Sequence, residues 1–286
     1  MNPAISKGGR RGLLVGYWLL VLFLYAPIVI LIIFSFNRRN LVSFPWEGFT
    51  LGWYREFLHN SALLDALRTS AWVALMTATA TTLLAIPAAI ALVRRRFFAK
   101  SLASGLLLAP LVIPLVVLGI SLLILFNAIG VPLSGYTVAI GHIVIALPFA
   151  ILVLVPRLER IPHSLEEASR DLGAGSMVTF RLITLPLLLP AVVSAALISY
   201  TISFDEIVIA SFVAGETTTF PIYLYSQLRL PNRLPQVIAV AVVVMTVSVI
   251  VVAASEIARW VADRRLEAQT GMSADELEAT LRGGKG

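Results

Sequence analysis

The sequence contains no cysteine, only three histidines and few charged residues. Without cysteine the chain forms no disulfide and offers no thiolate to a metal. The histidines, His59, His142 and His163, lie far apart and show no metal-site spacing such as HExxH. The sequence also lacks a GxxxxGK(S/T) phosphate loop and any recognisable pair of nucleophile and base. We therefore expect no catalytic residues, no metal site and no ATP bound by such a loop.

Much of the sequence consists of long apolar runs without charged residues. Hydrophobic residues make up 58% of the 286 residues, and the mean hydropathy of +0.90 is far above that of an ordinary soluble domain. Several uncharged runs exceed the roughly 20 residues that cross a bilayer. The run at 101–156 is too long for one crossing, and turn signals at 127–135 divide it. We predict six spans, at about 13–36, 66–93, 104–127, 136–155, 186–213 and 234–258.

The basic residues are distributed unevenly between the predicted loops. Sixteen of the 22 lysines and arginines fall in the N-terminus, the loops at 94–100 and 157–181, and the tail. The other six fall in the loops on the opposite side. The positive-inside rule therefore predicts that both termini and the 157–181 loop are cytoplasmic. We attribute the high isoelectric point, about 10.0, to topology and anionic lipid rather than to nucleic acid.

A polar segment punctuated by glycine separates the fourth and fifth spans. Residues 166–190 read EEASRDLGAGSMVTFRLITLPLLLP. Ser164 and Glu167 have the spacing of a capping box, which predicts a short helix at about 165–172. Gly173 is suited to end that helix in the left-handed conformation. A membrane protein with a short capped helix in a loop is expected to present it to a partner.

This segment resembles the "EAA" loop of type I binding-protein-dependent ABC importer permeases. The matching residues are Glu167, Ala168, Asp171, Gly173, Ala174, Phe180, Leu185, Pro186 and Pro190. Ser169 departs from the pattern, which prefers a second alanine. The resemblance implies a cytoplasmic coupling helix between spans 4 and 5. It assigns contact with an ATPase subunit to Glu166, Glu167, Ala168, Asp171, Gly173, Ala174 and Gly175.

Two adjacent acids, Asp205 and Glu206, lie near the outer end of the fifth span. Ionisable groups in spans are candidates for function, although an interfacial pair or a salt bridge to a partner arginine is an alternative. Adjacent helical residues point about 100° apart, so we expect only one acid to face a cavity and favour Asp205. The substrate-pathway candidates are Asp205, Glu206, Phe204 and Tyr200. For His142, a hydrogen bond between helices is favoured over a ligand or proton relay.

The sequence around these acids resembles a narrower group, the second permease subunit of spermidine/putrescine-type ABC importers. The matching residues are Ser203, Phe204, Asp205, Glu206, Ser211, Phe212, Val213, Gly215 and the stretch 220–229. The resemblance covers about residues 10–262. It implies transport of a small cation such as putrescine or spermidine. Other small solutes of such importers (amino-acid-like or opine-like compounds, sugars, metal ions) and a secondary transporter are the alternatives.

The resemblance also implies partners and an arrangement of the chain. The expected partners are a second homologous permease, two cytoplasmic ATPase subunits that hold ATP and Mg, an extracytoplasmic solute-binding protein and membrane lipid. No cofactor on this chain and no nucleic acid are expected. The expected fold is an all-α integral protein of the bacterial inner membrane. Its segments are a cytoplasmic N-terminus (1–12), a first helix (13–36), an outer loop with a short amphipathic helix (37–65), a five-helix importer core (66–258) and a cytoplasmic tail (259–286).

Overall fold

The computed structural model describes residues 7–39, 46–230, 233–247 and 249–250. Within these ranges the regular structure is helical, apart from an isolated bridge between Asn37 and Phe49. The elements are α1 (Lys7–Phe34), α2 (Gly52–His59), α3 (Ser61–Arg94), α4 (Lys100–Leu108) with a 3₁₀ turn (Ala109–Leu111), α5 (Leu115–Ala128), α6 (Gly135–Arg160), α7 (His163–Asp171), α8 (Ser176–Thr179), a π-helix (Phe180–Thr184), α9 (Leu185–Asp205), α10 (Val208–Val213), α11 (Phe220–Gln227) and α12 (Leu234–Val247). The all-helical class is confirmed.

Four helical stretches are long and apolar enough to cross a membrane, and a bent pair of helices provides up to one more. The four are Gly12–Phe34, Ser61–Arg94, Gly135–Arg160 and Ser176–Asp205. They correspond to the first, second, fourth and fifth predicted spans, and α3 begins several residues before the predicted position 66. The sixth predicted span, about 234–258, begins as α12, and most of its second half lies outside the described residues.

The third predicted span, 104–127, is not one continuous helix. The helical segments Lys100–Leu111 and Leu115–Ala128 are bent by 102° relative to each other. Pro114 lies at the start of α5 with extended backbone angles, φ −57° and ψ 129°. Proline has no amide proton, and it disfavours helical angles in the residue before it, which favours an end to the first helix before this position. Pro114 thus turns the predicted single span into a bent pair.

The fifth predicted span, 186–213, is also interrupted. Helix α9 ends at Asp205, and Glu206 adopts extended angles, φ −77° and ψ 119°. The chain then begins a separate helix, α10, at Val208. The apolar sequence continues across this break, which explains why hydropathy alone did not reveal it. Asp205 and Glu206 therefore lie at the junction between two helices rather than within one.

The chain divides into two compact units, residues 60–229 and residues 1–59 together with 230–286. In the unit 60–229, α3, α6 and α9 pack pairwise against one another. Many buried residues in this bundle are alanines, which let membrane helices approach closely. They include Ala74, Ala78, Ala85, Ala89, Ala146, Ala150, Ala191 and Ala195.

Helix α1 belongs to the other unit. None of the apolar stretch Gly12–Phe34 is buried within the molecule, so it needs apolar surroundings on its whole circumference. After α1, the Phe36 ring stacks on Phe49 with centroids 5.1 Å apart, and Trp53 Nε1 donates to the Asn37 carbonyl at 2.8 Å. These contacts support α2, the short helix that the sequence predicts in the outer loop.

Candidate functional site

The short helix predicted between the fourth and fifth spans is present as α7, but its N-terminus differs. The helix begins at His163, preceded by Pro162 without a side-chain cap. Ser164 is therefore already inside the first turn, and the predicted capping box with Glu167 is wrong. Instead, His163 Nδ1 lies 2.9 Å from Glu167 Oε1. This pair joins residues four apart, which are neighbours on a helix surface.

The C-terminus of α7 follows the prediction. Gly173 has φ +84°, the left-handed conformation that favours glycine. Its amide donates to the Arg170 carbonyl at 2.8 Å, and the Ala174 amide donates to the Ser169 carbonyl at 3.1 Å. These bonds close the helix, and α8 begins shortly afterwards. A side chain at position 173 would meet no atom within 4 Å, so the backbone angle alone makes glycine preferable there.

The two adjacent acids of α7 have different surroundings. Glu166 is only 5% exposed, and its Oε1 accepts from Arg94 Nε at 3.2 Å and from Thr184 Oγ1 at 3.1 Å. Arg94 also donates through Nη2 to the Ile161 carbonyl at 2.8 Å. The Glu167 side chain is 62% exposed. Glu166 therefore anchors α7 to the end of α3 and to the π-helix, whereas Glu167 faces outward.

The π-helix Phe180–Thr184 connects the loop to α9. π-helices are rare and occur mostly as single turns inside α-helices, often at functional sites. Thr184 is buried and belongs to the Glu166 cluster, and Ser169 Oγ lies 3.0 Å from Thr179 Oγ1. Polar contacts thus link α7 to the chain on both sides of the loop. The loop is fixed to the bundle rather than free to move alone.

The residue that directly follows α7 is one that the sequence reasoning did not single out. Leu172 is 90% exposed, at the tip of the loop next to Gly173. Glu167, Ala168 and Asp171 are exposed on the same loop. One signal was available: Leu172 is an apolar residue in an otherwise polar segment that the resemblance already assigns to partner contact.

At the break after α9, Glu206 is buried and Asp205 is exposed. The Glu206 carboxylate accepts the backbone amides of Val208, Ile209 and Ala210 at 2.8, 3.0 and 3.1 Å. It therefore caps the N-terminus of α10, as acidic side chains commonly do.

Both acids nevertheless border one cleft, with a volume of about 400 Å³. The helix ends at Asp205, so the helical spacing on which the expectation of a single cavity-facing acid rested does not apply across this pair. The cleft is lined by Leu115, Thr201, Ile202, Asp205, Glu206, Ile207 and Val208.

The two aromatic candidates are not among the residues that line this cleft. The rings of Tyr200 and Phe204 stack on each other with centroids 6.0 Å apart. Phe204 also contacts Phe220 of α11 at 5.8 Å. Asp205 and Glu206 are thus brought together at the cleft, while Tyr200 and Phe204 form a separate aromatic group.

His142 forms the hydrogen bond between helices that the sequence favours. Its Nδ1 atom lies 2.8 Å from Ser203 Oγ of α9, and Ser203 donates to Thr77 Oγ1 of α3 at 3.1 Å. Its Nε2 atom lies 3.1 Å from Glu206 Oε2, close enough for an ion pair although without the geometry of a good hydrogen bond. The sequence gave no indication of this second contact, because residues 142 and 206 are far apart in the chain.

Comparison with known proteins explains the combination of apolar helices and an anchored loop. Residues 81–265 match the family described as "Binding-protein-dependent transport system inner membrane component". This chain belongs to that family. The matched region includes α7 with the turn after it, and the break between α9 and α10 at Asp205 and Glu206.

The relatives in this family include polyamine permeases. The chain is 37% identical over 236 residues to the spermidine/putrescine transport system permease protein PotC of Escherichia coli (strain K12), which covers 82% of this chain and 89% of PotC. It is 38% identical over 231 residues to the putrescine transport system permease protein PotI of the same strain, covering 78% of this chain and 82% of PotI.

A solved structure is also similar. It is the crystal structure of a bacterial ABC transporter involved in the import of the acidic polysaccharide alginate. The TM-score is 0.68 at 17% identity, and the match covers 91% of this chain and 99% of that chain. At this identity the likeness shows the fold alone.

Proposed function

We propose that this chain is one permease subunit of an ATP-driven importer and forms half of the pathway for a small cationic solute of the putrescine or spermidine type. The main support is its similarity to PotC and PotI, whose names specify these amines and which match most of the chain. Asp205 supplies a chemical reason, because an exposed carboxylate at the cleft attracts an ammonium group.

The proposed topology has six spans with both termini cytoplasmic. The segments are those inferred from the sequence: 1–12, 13–36, 37–65, 66–258 and 259–286. The unequal distribution of basic residues supports it. In this arrangement α7 faces the cytoplasm, and the break after Asp205 lies toward the outside. The localisation is the bacterial inner membrane.

The proposed coupling element is α7 with the turn that follows it. Its exposed residues, Glu167, Ala168, Asp171 and Leu172, would dock in a cleft of an ATPase subunit. Gly173, Ala174 and Gly175 shape the turn, and Glu166 keeps the helix attached to the bundle. A movement of the ATPase subunit would then reach α3 and α9 through one rigid body, giving alternating access.

The proposed assembly includes a second homologous permease, two ATPase subunits and an extracytoplasmic solute-binding protein. ATP and Mg are held by the ATPase subunits, and this chain performs no covalent chemistry. Family membership supports this composition, because the family is named for binding-protein-dependent transport.

Uptake of labelled putrescine and spermidine by whole cells tests the substrate. We expect Asp205→Asn to lower uptake at subsaturating solute about tenfold, the loss typical of one charged contact. The matched control is Asp65→Asn, which removes an exposed carboxylate paired with Arg68 at 3.3 Å. Normal uptake by Asp205→Asn, or transport of only neutral or anionic solutes by the wild type, contradicts the cationic substrate and leaves family membership intact.

A further inference from the structure

A buried polar cluster lies where α3, α6 and α9 meet. His142 and Thr77 are completely buried, Ser203 is 3% exposed, and Glu206 joins them from the break after α9. His142 lies seven residues into α6, roughly 10 Å from the start of that helix at 1.5 Å per residue. Ionisable side chains at such positions are costly and are retained where they have a task.

Hydrogen bonds connect the cluster across the three helices. Ser203 Oγ donates to Thr77 Oγ1 at 3.1 Å, and His142 Nδ1 lies 2.8 Å from Ser203 Oγ. The other ring nitrogen of His142, Nε2, faces Glu206 Oε2 at 3.1 Å.

The Glu206 carboxylate also accepts the backbone amides of Val208, Ile209 and Ala210. His142 and the first turn of α10 therefore contact the same buried carboxylate from two sides.

Helix α10 fits closely against the bundle beside this pair. A Cβ on Gly141, next to His142, would come 2.7 Å from Ile209 Cγ2. A Cβ on Gly119 would come 2.6 Å from the Phe212 ring. Both glycines provide the space that α10 occupies, and Glu206 fixes its N-terminus. The His142–Glu206 contact and the two glycines therefore define one docked position of α10.

We propose that the buried contact between His142 and Glu206 holds the break between α9 and α10 and so keeps Asp205 at the cleft. His142 is a positioning residue that acts through Glu206. The effect on transport rests on the proposed function, whereas the position of α10 does not. The tests therefore measure these separately.

The first test measures the docking of α10 by thiol labelling in the assembled transporter. Ile209 is completely buried, and the chain has no natural cysteine, so Ile209→Cys is a specific probe. We expect this probe to be protected in the otherwise unchanged protein and labelled at least severalfold faster when Glu206→Gln is added. Asp205→Asn is the matched control, because it removes the neighbouring charge without touching the pair. Protection that persists with Glu206→Gln overturns the proposal.

The second test measures whether the two residues act as a pair. Uptake is compared for His142→Gln, Glu206→Gln and the double variant. We expect the double variant to lose at least about threefold less than the product of the two single losses, because its two neutral amides no longer leave a buried charge unpaired. Losses that simply multiply contradict the pairing.

Normal transport by Asp205→Asn, with α10 docked, would instead contradict only the proposed solute path.

Discussion

At the scale of single residues, adjacent acids have different roles in two places. Glu166 is buried in a cluster with Arg94, whereas Glu167 faces outward. Glu206 is buried against His142, whereas Asp205 is exposed at the cleft. In each pair the buried acid holds an element in place, and the exposed acid remains available to a partner or solute. Glu166 has its charge balanced by Arg94, and Glu206 has its carboxylate bound by three backbone amides beside His142.

Gly173→Val tests the left-handed turn after α7. A β-branched residue at φ +84° is strained by about 1–2 kcal/mol, so we expect the turn to change and solute-stimulated ATPase activity of the assembled transporter to fall. Gly173→Asn is the matched control, because asparagine tolerates this conformation better than valine. Equal activity of the two variants would show that the turn geometry does not matter for coupling.

Arg94→Met tests the anchor of α7. Removing the guanidinium breaks the buried pair with Glu166, which typically costs about 3–5 kcal/mol, and leaves only His163 Nε2 near the carboxylate, at 3.8 Å. We expect a lower Tm of the purified transporter and weaker coupling of ATP hydrolysis to transport. Adding Glu166→Gln should recover part of the Tm, since no buried charge then remains unpaired. A Tm unchanged in Arg94→Met would contradict the anchoring role.

At the scale of elements, the interruptions have local causes. The helical segments before and after Pro114 are bent by 102° relative to each other. The Glu206 side chain accepts backbone amides at the start of α10, the new helix that follows α9. The third predicted span and the fifth therefore each contain a bend or a break. By contrast, α3 and α6 contain Pro87 and Pro148 and still continue as long helices. Membrane helices tolerate proline where neighbouring groups satisfy the freed carbonyl.

Leu172→Ser tests the outward face of α7 as an element that contacts a partner. Because Leu172 is 90% exposed, the change should alter the free energy of unfolding of the isolated permease by no more than about 0.5 kcal/mol. We expect it to weaken binding of the ATPase subunits, measured by co-purification. Phe98→Ser, which alters a 98% exposed residue outside α7, is the control. Equal retention of the ATPase subunits by both variants would exclude Leu172 from the interface.

At the scale of the whole molecule, the arrangement of helices agrees with family membership. The bundle of α3, α6 and α9 connects the loop at one end with the acidic break at the other, since α9 extends from the π-helix to Asp205. Arg94 of α3 belongs to the Glu166 cluster, and Thr77 of α3 and Ser203 of α9 belong to the His142 cluster. In the proposed mechanism, a force applied at α7 would reach the cleft through these packed helices.

Single-cysteine labelling tests the topology of the whole chain. We expect positions 174 and 280 to react only with reagent on the cytoplasmic side, and position 48 only with reagent from outside. The absence of natural cysteine makes each probe specific. Reaction of position 174 or 280 from outside would contradict the proposed orientation.

The sequence by itself determined the helical class, the approximate location of the spans described and the left-handed turn at Gly173. Apolar runs of sufficient length specify membrane helices without any tertiary contact, because the backbone must satisfy its own hydrogen bonds in lipid. The glycine at position 173 is likewise a local requirement of the chain. These features depend on residues close together in sequence.

Only the tertiary structure decided which acids are buried. Glu166 meets Arg94, and His142 meets Glu206, across more than sixty residues of sequence. The capping box expected at Ser164 did not form, because α7 begins at His163 and Ser164 therefore lies inside its first turn. Buried charges are stable only beside a specific partner, and that partner is supplied by the packing of separate helices. The local pattern of the sequence contains no record of such pairs.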